Sequence, residues 1–306
     1  MRYFVTGASG WIGSAVVPEL LSAGHEVVGL ARSDASAARI EKAGASAWRG
    51  SLDDPAGLAS AAAASDGVIH LAFNHQVAFE QGDLATAAAA DRRAVEAMGQ
   101  ALAGSDRPLV IASGVAGLAA GRPATESDGL IPPEAIRGTP LARRHATSLF
   151  ALSLAGIGVR ASVVRFAPTV HGEGDEGFIA TFAGIARRRG VSGHVGDGGN
   201  RWAAVHVSDA ARLVRLAAES AGPGIVVHAT AEDGVAFRDI AEALGRQLEV
   251  PTASVPAGDA LEHFGFLGVF AGQELSASSA ATRRLLGWEP AGPSLLEDID
   301  AGHYTG

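Results

Sequence analysis

Apolar runs of strand length alternate with longer helical patterns through the first half of the chain. The short runs are continuously apolar instead of alternating with polar residues, which is typical of parallel strands covered by helices on both faces. This pattern predicts an α/β fold of the Rossmann type, with a doubly wound parallel sheet. The predicted strands are residues 3–6, 26–31, 67–72, 109–112 and 159–166, and the predicted helices are residues 10–23, 35–43, 84–102 and 141–155.

Three glycines stand between the first predicted strand and the first predicted helix, in the stretch TGASGWIG. Gly7 permits a tight turn, Gly10 lets the main chain approach a diphosphate, and Gly13 lets the helix lie against the sheet. The helix amino-terminus then offers free N–H groups and a partial positive charge to phosphates. We therefore predict a dinucleotide-binding turn. Its expected cofactor contacts are Gly7, Ser9, Gly10, Trp11, Ile12 and Gly13.

The second predicted strand ends in VVGLARSD, which is expected to meet the adenosine ribose. Arg32 and Ser33 offer donors to a 2′-phosphate, whereas a carboxylate would accept from a 2′-hydroxyl. This favours NADP over NAD as cofactor, although Asp34 keeps NAD open and Arg32 could instead be a solvent-exposed side chain. Leu52 and Asp53 are placed to flank the adenine ring, but an acidic loop that caps the next helix would have the same pattern.

Composition narrows the range of partners. The net charge of −9 gives no basic surface for nucleic acid, so nucleic acid is not an expected partner. The chain has no cysteine, which excludes disulfides, thiolate zinc sites and cysteine nucleophiles; no metal site is predicted. No run approaches the roughly 18 apolar residues of a membrane-spanning helix, and no leader pattern precedes the first strand. We expect a cytoplasmic protein without a membrane partner.

Four stretches of the chain resemble the extended or atypical short-chain dehydrogenase/reductase superfamily. This superfamily includes proteins described as NAD-dependent epimerases or dehydratases and as 3β-hydroxysteroid dehydrogenase-like. The resemblance covers nearly the whole chain. The four stretches are TGASGWIG at 6–13, VIHLA at 68–72, RWAAVHVSDAARL at 201–213 and RRLLGWEP at 283–290.

The resemblance implies a division of the chain into two regions. Residues 1–166 are expected to form an NAD(P)-binding Rossmann domain, and residues 167–306 a smaller substrate-binding region that closes over the nicotinamide and contributes some elements back to the sheet. Leu71, Ala72 and Phe73 are expected to pass near the cofactor. The resemblance also implies a homodimer.

The chain departs from the superfamily pattern at the catalytic residues. Redox members typically use a serine or threonine after the fifth strand and a tyrosine four residues before a lysine, which lowers the tyrosine pKa. This chain has one lysine, Lys42, and two tyrosines, Tyr3 and Tyr304. None of them lies near the expected helix, so the tyrosine–lysine pair is absent.

Arginines stand where the lysine is expected. By spacing back from Arg165, the lysine position falls at about Arg143 or Arg144, and the tyrosine position falls near Thr139 or Pro140. Arginine is a poor proton donor, but it could hold a ribose, a phosphate or a substrate carboxylate. We assign Arg144 to cofactor binding.

A serine and several histidines are candidates for the chemistry. Ser113 stands where the superfamily serine is expected and could hydrogen-bond a carbonyl, or it could simply end a strand. His75, His145 and His171 could each supply a proton near neutral pH, although a single histidine is more often structural. We assign His75 and Arg201 to substrate binding. Arg201 matches the place where nucleotide-sugar relatives often hold a substrate diphosphate, and a surface-loop arginine is the alternative.

We therefore expect an NADP-dependent oxidoreductase that acts on a carbonyl or alcohol of a small molecule with non-standard catalytic residues. The apolar stretch at 263–272 could roof the substrate cleft or pack as core. Two other functions stay open. One is an NADP-binding regulator without catalysis, and the other is a sugar epimerase or dehydratase that retains NAD through its cycle.

Overall fold

The computed structural model describes residues 1–130 and 140–305. Seven of the strands in these residues form one sheet, and every neighbouring pair in it is parallel. The strands are β1 (Arg2–Thr6), β2 (Glu26–Ala31), β3 (Ser46–Arg49), β4 (Gly67–His70), β5 (Pro108–Gly114), β6 (Arg160–Phe166), β7 (Thr169–His171), β8 (Ser192–Val195), β9 (Arg201–His206), β10 (Ile225–Ala229), β11 (Glu232–Ala236) and β12 (Thr252–Val255). The order in the large sheet is β10-β6-β5-β4-β1-β2-β3.

Helices cover both faces of the large sheet. On one face Val16, Ile40 and Leu213 of three helices join the same apolar cluster as Val5 of β1. The other face is covered by α3, α4 and α5, whose apolar side chains pack against Phe4. The helices are α1 (Trp11–Ser22), α2 (Asp34–Lys42), α3 (Pro55–Ala63), α4 (Leu84–Ala101), α5 (Pro140–Ser153), α6 (Phe178–Arg189), α7 (Val207–Ser220), α8 (Phe237–Leu248), α9 (Ala260–Phe264), α10 (Gly268–Ala271), α11 (Ala280–Leu286) and α12 (Leu295–Asp300). The predicted doubly wound α/β fold is confirmed.

The later part of the chain builds a second core and also returns to the large sheet. A three-stranded sheet, β11-β9-β7, carries Trp202, whose buried ring packs edge-on against Phe182 and Phe237. Meanwhile β10 forms the edge of the large sheet beside β6, and α7 packs against α1. In the stretch 263–272, Phe264 is buried in the second core whereas Val269 is exposed. None of the helices in the described ranges is long and apolar enough to span a bilayer.

Candidate active site

The turn between β1 and α1 has no room for side chains at two of its three glycines. A Cβ added to Gly13 would lie 2.0 Å from the carbonyl oxygen of Gly7. Gly7 itself has φ +71°, and its Cβ would lie 2.8 Å from the amide nitrogen of Ala72. The amide of Gly10 donates to the carbonyl of Gly7 at 3.0 Å. The turn therefore packs main chain against main chain, which only glycine permits.

Helix α1 begins with main-chain amides that no side chain caps. Gly10 is the N-cap residue, and the first turn of the helix contains no acidic residue. Gly10 is exposed, while Ser9 and Ile12 are partly exposed. The indole N–H of Trp11 donates to the carbonyl of Val170 at 2.7 Å, which ties the start of the helix to β7. Free amides at a positive helix end suit the pyrophosphate of a dinucleotide.

The end of β2 offers no free carboxylate to a ribose. Its last residue is Ala31, which is buried, and Arg32 follows as an exposed side chain. Ser33 caps α2 in a reciprocal capping box, so its hydroxyl is engaged by the helix. Asp34, the carboxylate that left NAD as an alternative cofactor, forms an ion pair with Arg49. This arrangement leaves the positive charge of Arg32 facing solvent at the strand end.

The acidic loop after β3 contains the predicted adenine contacts. Leu52 is half-buried and packs on the apolar cluster that lies against α3. Asp53 is exposed. The helix is capped by the next residue, because Asp54 accepts the amide of Gly57 at 3.0 Å. Helix capping therefore accounts for Asp54. The contact of Asp53 with the adenine ring stays a prediction.

The segment after β4 forms a wall beside the glycine turn. The amide of Leu71 donates to the carbonyl of Thr6 at 3.2 Å, and the amide of Ala72 donates to the Thr6 hydroxyl oxygen, also at 3.2 Å. Phe73 follows, and its ring lies 3.9 Å below the guanidinium carbon of Arg144. Such a cation–π contact connects this wall to α5.

Arg144 is held between β5 and the ring of Phe73. Its Nη2 donates to the carbonyl of Ala112 at 3.3 Å. Its Nη1 is buried and has no hydrogen-bond partner within the described ranges. Burial lowers the pKa of Arg144, and the negative charge of Asp91 opposes that shift. Of the positions predicted for the missing tyrosine, Thr139 lies outside the described residues and Pro140 begins α5.

Ser113 lies beside Arg144 at the carboxyl end of β5. The hydroxyl of Ser148, one helical turn beyond Arg144 on α5, donates to the Ser113 hydroxyl oxygen at 3.0 Å. Because Ser113 accepts this bond, its own proton is left to donate to another acceptor, such as a carbonyl oxygen. Ser148 was not among the residues predicted from the sequence. The spacing of four residues between Arg144 and Ser148 on a predicted helix was the available signal.

His75 lies next to Phe73. Its ring centre is 5.5 Å from that of Phe73, and its side chain is exposed. Desolvation lowers the pKa of His75, and the positive charge of Arg144 lowers it further. The structure thus brings Ser113, Arg144, Phe73 and His75 into one connected group.

His145 belongs to a buried group that shares Ser113 with the group around Arg144. Ser113, Arg165 and His228 stand side by side on β5, β6 and β10. His145 faces this row and is hydrogen-bonded to the backbone of Gly129. Burial, followed by the positive charge of Arg165, lowers the pKa of His145. Since its side chain is 7% exposed, His145 could reach a substrate only if the residues around it moved. Its catalytic role stays a prediction.

His171 is fully buried in the second core. Its Nδ1 lies 2.5 Å from a carboxylate oxygen of Asp298, and His303 approaches the other oxygen at 3.3 Å. Burial lowers the pKa of His171, with Asp298 opposing the shift. Nearby, Tyr304 donates to Asp175 at 3.0 Å. The catalytic role of His171 also stays a prediction, and no contact among the described residues joins it to the group around Arg144.

Arg201 begins β9 as an exposed side chain. Its Nη1 donates to the carbonyl of Gly234 at 2.9 Å, and its amide donates to Glu274 at 3.0 Å. These contacts hold it to β11 and to the segment before α11. No contact joins it to Arg144 or Phe73 within residues 1–130 and 140–305.

Comparison with known proteins gives two relatives that align over nearly the full chain. The chain is 45% identical over 306 residues to Uncharacterized protein YLL056C of Saccharomyces cerevisiae, covering 99% of each. It is 42% identical over 305 residues to Uncharacterized protein C2A9.02 of Schizosaccharomyces pombe, covering 99% of this chain and 100% of that one.

Solved structures share the fold at low sequence identity. UDP-glucose 4-epimerase from Thermotoga maritima, with UDP-glucose, has a TM-score of 0.79 at 21% identity and covers 100% of this chain and 98% of its own. DesIV, a dTDP-glucose 4,6-dehydratase from Streptomyces venezuelae with NAD bound, also has a TM-score of 0.79 at 21% identity, covering 99% and 96%.

The family model completes the assignment. The model described as NAD dependent epimerase/dehydratase family matches residues 3–229, which span the glycine turn, the wall after β4, Ser113, Arg144 and the edge strand β10. The resemblance to extended short-chain dehydrogenases/reductases is therefore confirmed. With a Rossmann sheet, a closely packed glycine turn after β1 and this match over most of its length, the chain belongs to the NAD dependent epimerase/dehydratase family.

Proposed function

We propose that this protein is an NADP-dependent oxidoreductase that interconverts a carbonyl and an alcohol on a small molecule. The observation that carries the proposal is the hydrogen bond from Ser148 to Ser113, because it directs the Ser113 proton toward an incoming acceptor. Ser113 lies at the carboxyl end of β5. Ligands of open parallel sheets bind beyond the carboxyl ends of the strands.

The choice of NADP rests on the end of β2. Ala31 supplies no carboxylate there, and Asp34 is paired with Arg49. Arg32 is left to bind a 2′-phosphate with a charge-assisted hydrogen bond. The pyrophosphate would lie against the amides at the start of α1, which no side chain caps.

The residues near Ser113 suit carbonyl reduction. NADPH, when bound, supplies hydride to the carbonyl carbon. The Ser113 hydroxyl donates to the carbonyl oxygen, and the positive charge of Arg144 stabilises the negative charge that develops there. We assign to His75, exposed beside Phe73, the transfer of a proton from solvent to that oxygen.

The substitution Ser113→Ala tests this proposal. The wild-type protein is expected to oxidise NADPH with at least one member of a panel of ketones and aldehydes, followed by absorbance. Removing the hydroxyl is expected to lower kcat/KM by about 100-fold, which is typical of losing one oxyanion donor, while the Kd for NADPH stays near that of wild type.

Ser153→Ala is the matched control, since Ser153 is an exposed serine on α5, the helix that carries Ser148, and its hydroxyl donates to the carbonyl of Phe150. Turnover that is equal in wild type and Ser113→Ala would contradict the role of Ser113. NADPH binding without turnover of any carbonyl would instead favour a regulator that binds NADP without catalysis.

A second candidate is a sugar epimerase or dehydratase that keeps NAD bound throughout its cycle. It is supported by the fold shared with UDP-glucose 4-epimerase and dTDP-glucose 4,6-dehydratase. The purified protein decides between the two candidates. NAD released on denaturation favours the second candidate and contradicts the assignment of Arg32.

A further inference from the structure

A chain of buried polar side chains runs behind the wall of the dinucleotide cleft. Asp91 on α4 contacts His70 at the end of β4, with 3.1 Å between Oδ1 and Nε2. The other ring nitrogen of His70, Nδ1, lies 2.7 Å from Oγ1 of Thr6. Thr6 Oγ1 accepts the amide of Ala72 at 3.2 Å. As whole residues, Asp91, His70 and Thr6 are 5%, 2% and 0% exposed.

With a neutral His70 ring, one assignment pairs each donor of this chain with an acceptor. In it the Ala72 amide donates to Thr6 Oγ1, and the Thr6 hydroxyl donates to Nδ1 of His70. His70 then carries its proton on Nε2 and donates to the carboxylate of Asp91. Every contact in this assignment pairs one donor with one acceptor. The chain begins at the cleft wall and ends on the carboxylate of Asp91.

Asp91 also acts on Arg144 from the same position. Burial lowers the pKa of Arg144, and the charge of Asp91 opposes that effect. Arg144 has few other means of compensation, since Nη2 bonds one carbonyl and Nη1 is buried without a partner in the described part of the chain. A buried guanidinium that loses its countercharge is costly.

We propose that Asp91 is a positioning residue for the nicotinamide half of the cleft. Through His70 and Thr6 it fixes the amide of Ala72 in the wall, and through its charge it keeps Arg144 over Phe73. It acts on the cofactor only through these residues. This inference rests on the proposed function, because it requires a nicotinamide dinucleotide in the cleft.

The substitution Asp91→Asn separates the charge from the hydrogen bond, because the amide oxygen still accepts from His70. Two probes are titrated by calorimetry: NADP⁺, and adenosine 2′,5′-bisphosphate, which lacks the nicotinamide half. We expect the affinity for NADP⁺ to fall by about tenfold and that for the bisphosphate to stay within about twofold. Glu96→Gln is the control, since it removes the same charge from the same helix at a half-exposed pair with Arg92.

A second pair of variants tests the hydrogen-bonded chain itself. Thr6→Val keeps the shape of a fully buried side chain and removes its hydroxyl, so the Ala72 amide and His70 both lose a partner. We expect weaker NADP⁺ binding in Thr6→Val and recovery of most of that loss in Thr6→Ser. The bisphosphate again reports on the adenosine half.

The possible outcomes separate this inference from the proposed function. Equal losses for NADP⁺ and the bisphosphate in Asp91→Asn would overturn the positioning role, as would unchanged NADP⁺ affinity in both Asp91→Asn and Thr6→Val. A wild-type protein that binds neither NADP⁺ nor NAD⁺ would overturn the proposed function, and this inference with it.

Discussion

The two ends of the proposed dinucleotide cleft are built in different ways. At the adenosine end, Arg32 and Asp53 are exposed side chains that follow strand ends. At the nicotinamide end, Thr6, His70 and Asp91 are buried and joined in one hydrogen-bonded chain. Exposed groups without shared partners contribute independently, whereas groups in one buried network are coupled. The effects of two substitutions should therefore add at the adenosine end and should not add at the nicotinamide end.

The glycine turn serves both ends, so breaking it should have the largest effect. In Gly13→Ala the new Cβ would lie 2.0 Å from the Gly7 carbonyl oxygen, so main chain must move. We expect more than about a 100-fold loss of affinity for both NADP⁺ and adenosine 2′,5′-bisphosphate, and a fall of about 3 kcal/mol in the free energy of unfolding. Calorimetry and urea unfolding measure the two effects.

The control for this substitution is Gly156→Ala, because no heavy atom lies within 4 Å of a Cβ added there. Wild-type affinity in Gly13→Ala would contradict the packing assigned to the turn. A loss for NADP⁺ with normal bisphosphate binding would show that the turn serves one end only.

Acid should destabilise the sheet beneath the nicotinamide end. Burial lowers the pKa of His228 from 6.5 to about 4, so the folded state binds this proton less tightly than the unfolded chain. The resulting stability is fully present above pH 6.5 and is lost as the pH falls toward about 4, a change of about 3 kcal/mol. Burial lowers the pKa of His145 in the same direction.

Urea unfolding at about pH 7.5 and about pH 4.5 measures this dependence. The variant His228→Gln, which carries no titrating ring, is expected to lose less stability on acidification than the wild type. An equal loss in both proteins would show that the dependence arises elsewhere.

The smallest effect is expected at the adenosine end. Arg32→Ala should weaken NADP⁺ by about tenfold and leave NAD⁺ unchanged, because only NADP⁺ carries the 2′-phosphate. Combined with Asp91→Asn, its effect should add, whereas Asp91→Asn and Thr6→Val should not add to each other. Arg39→Ala, at an exposed arginine on α2, is the control. Equal losses for NADP⁺ and NAD⁺ would contradict the role of Arg32.

The parts of the fold that follow local rules could be predicted from the sequence. The predicted strand at 26–31 matches β2, and the helix predicted at 84–102 matches α4 to within one residue. Buried parallel strands and their covering helices carry apolar patterns that show in the sequence. The half-exposed edge strand β3 lacks such a pattern, and the sequence did not delimit it.

The candidate site also has one part that could be predicted from the sequence and one part that could not. Each glycine of the turn meets a local steric need, so the stretch TGASGWIG was enough to predict it. Asp91 meets His70 across 21 residues, and His171 meets Asp298 across 127 residues. Packing brings these partners together, and no periodicity in the sequence encodes such a meeting. Coupled buried groups are therefore what sequence reasoning could not find.

The most direct test of the account is calorimetric titration of the wild-type protein with NADP⁺ and with NAD⁺. The account predicts saturable binding at one site per chain, with NADP⁺ tighter than NAD⁺ by about tenfold or more. No binding of either dinucleotide at about millimolar concentration, or tighter binding of NAD⁺, would contradict it.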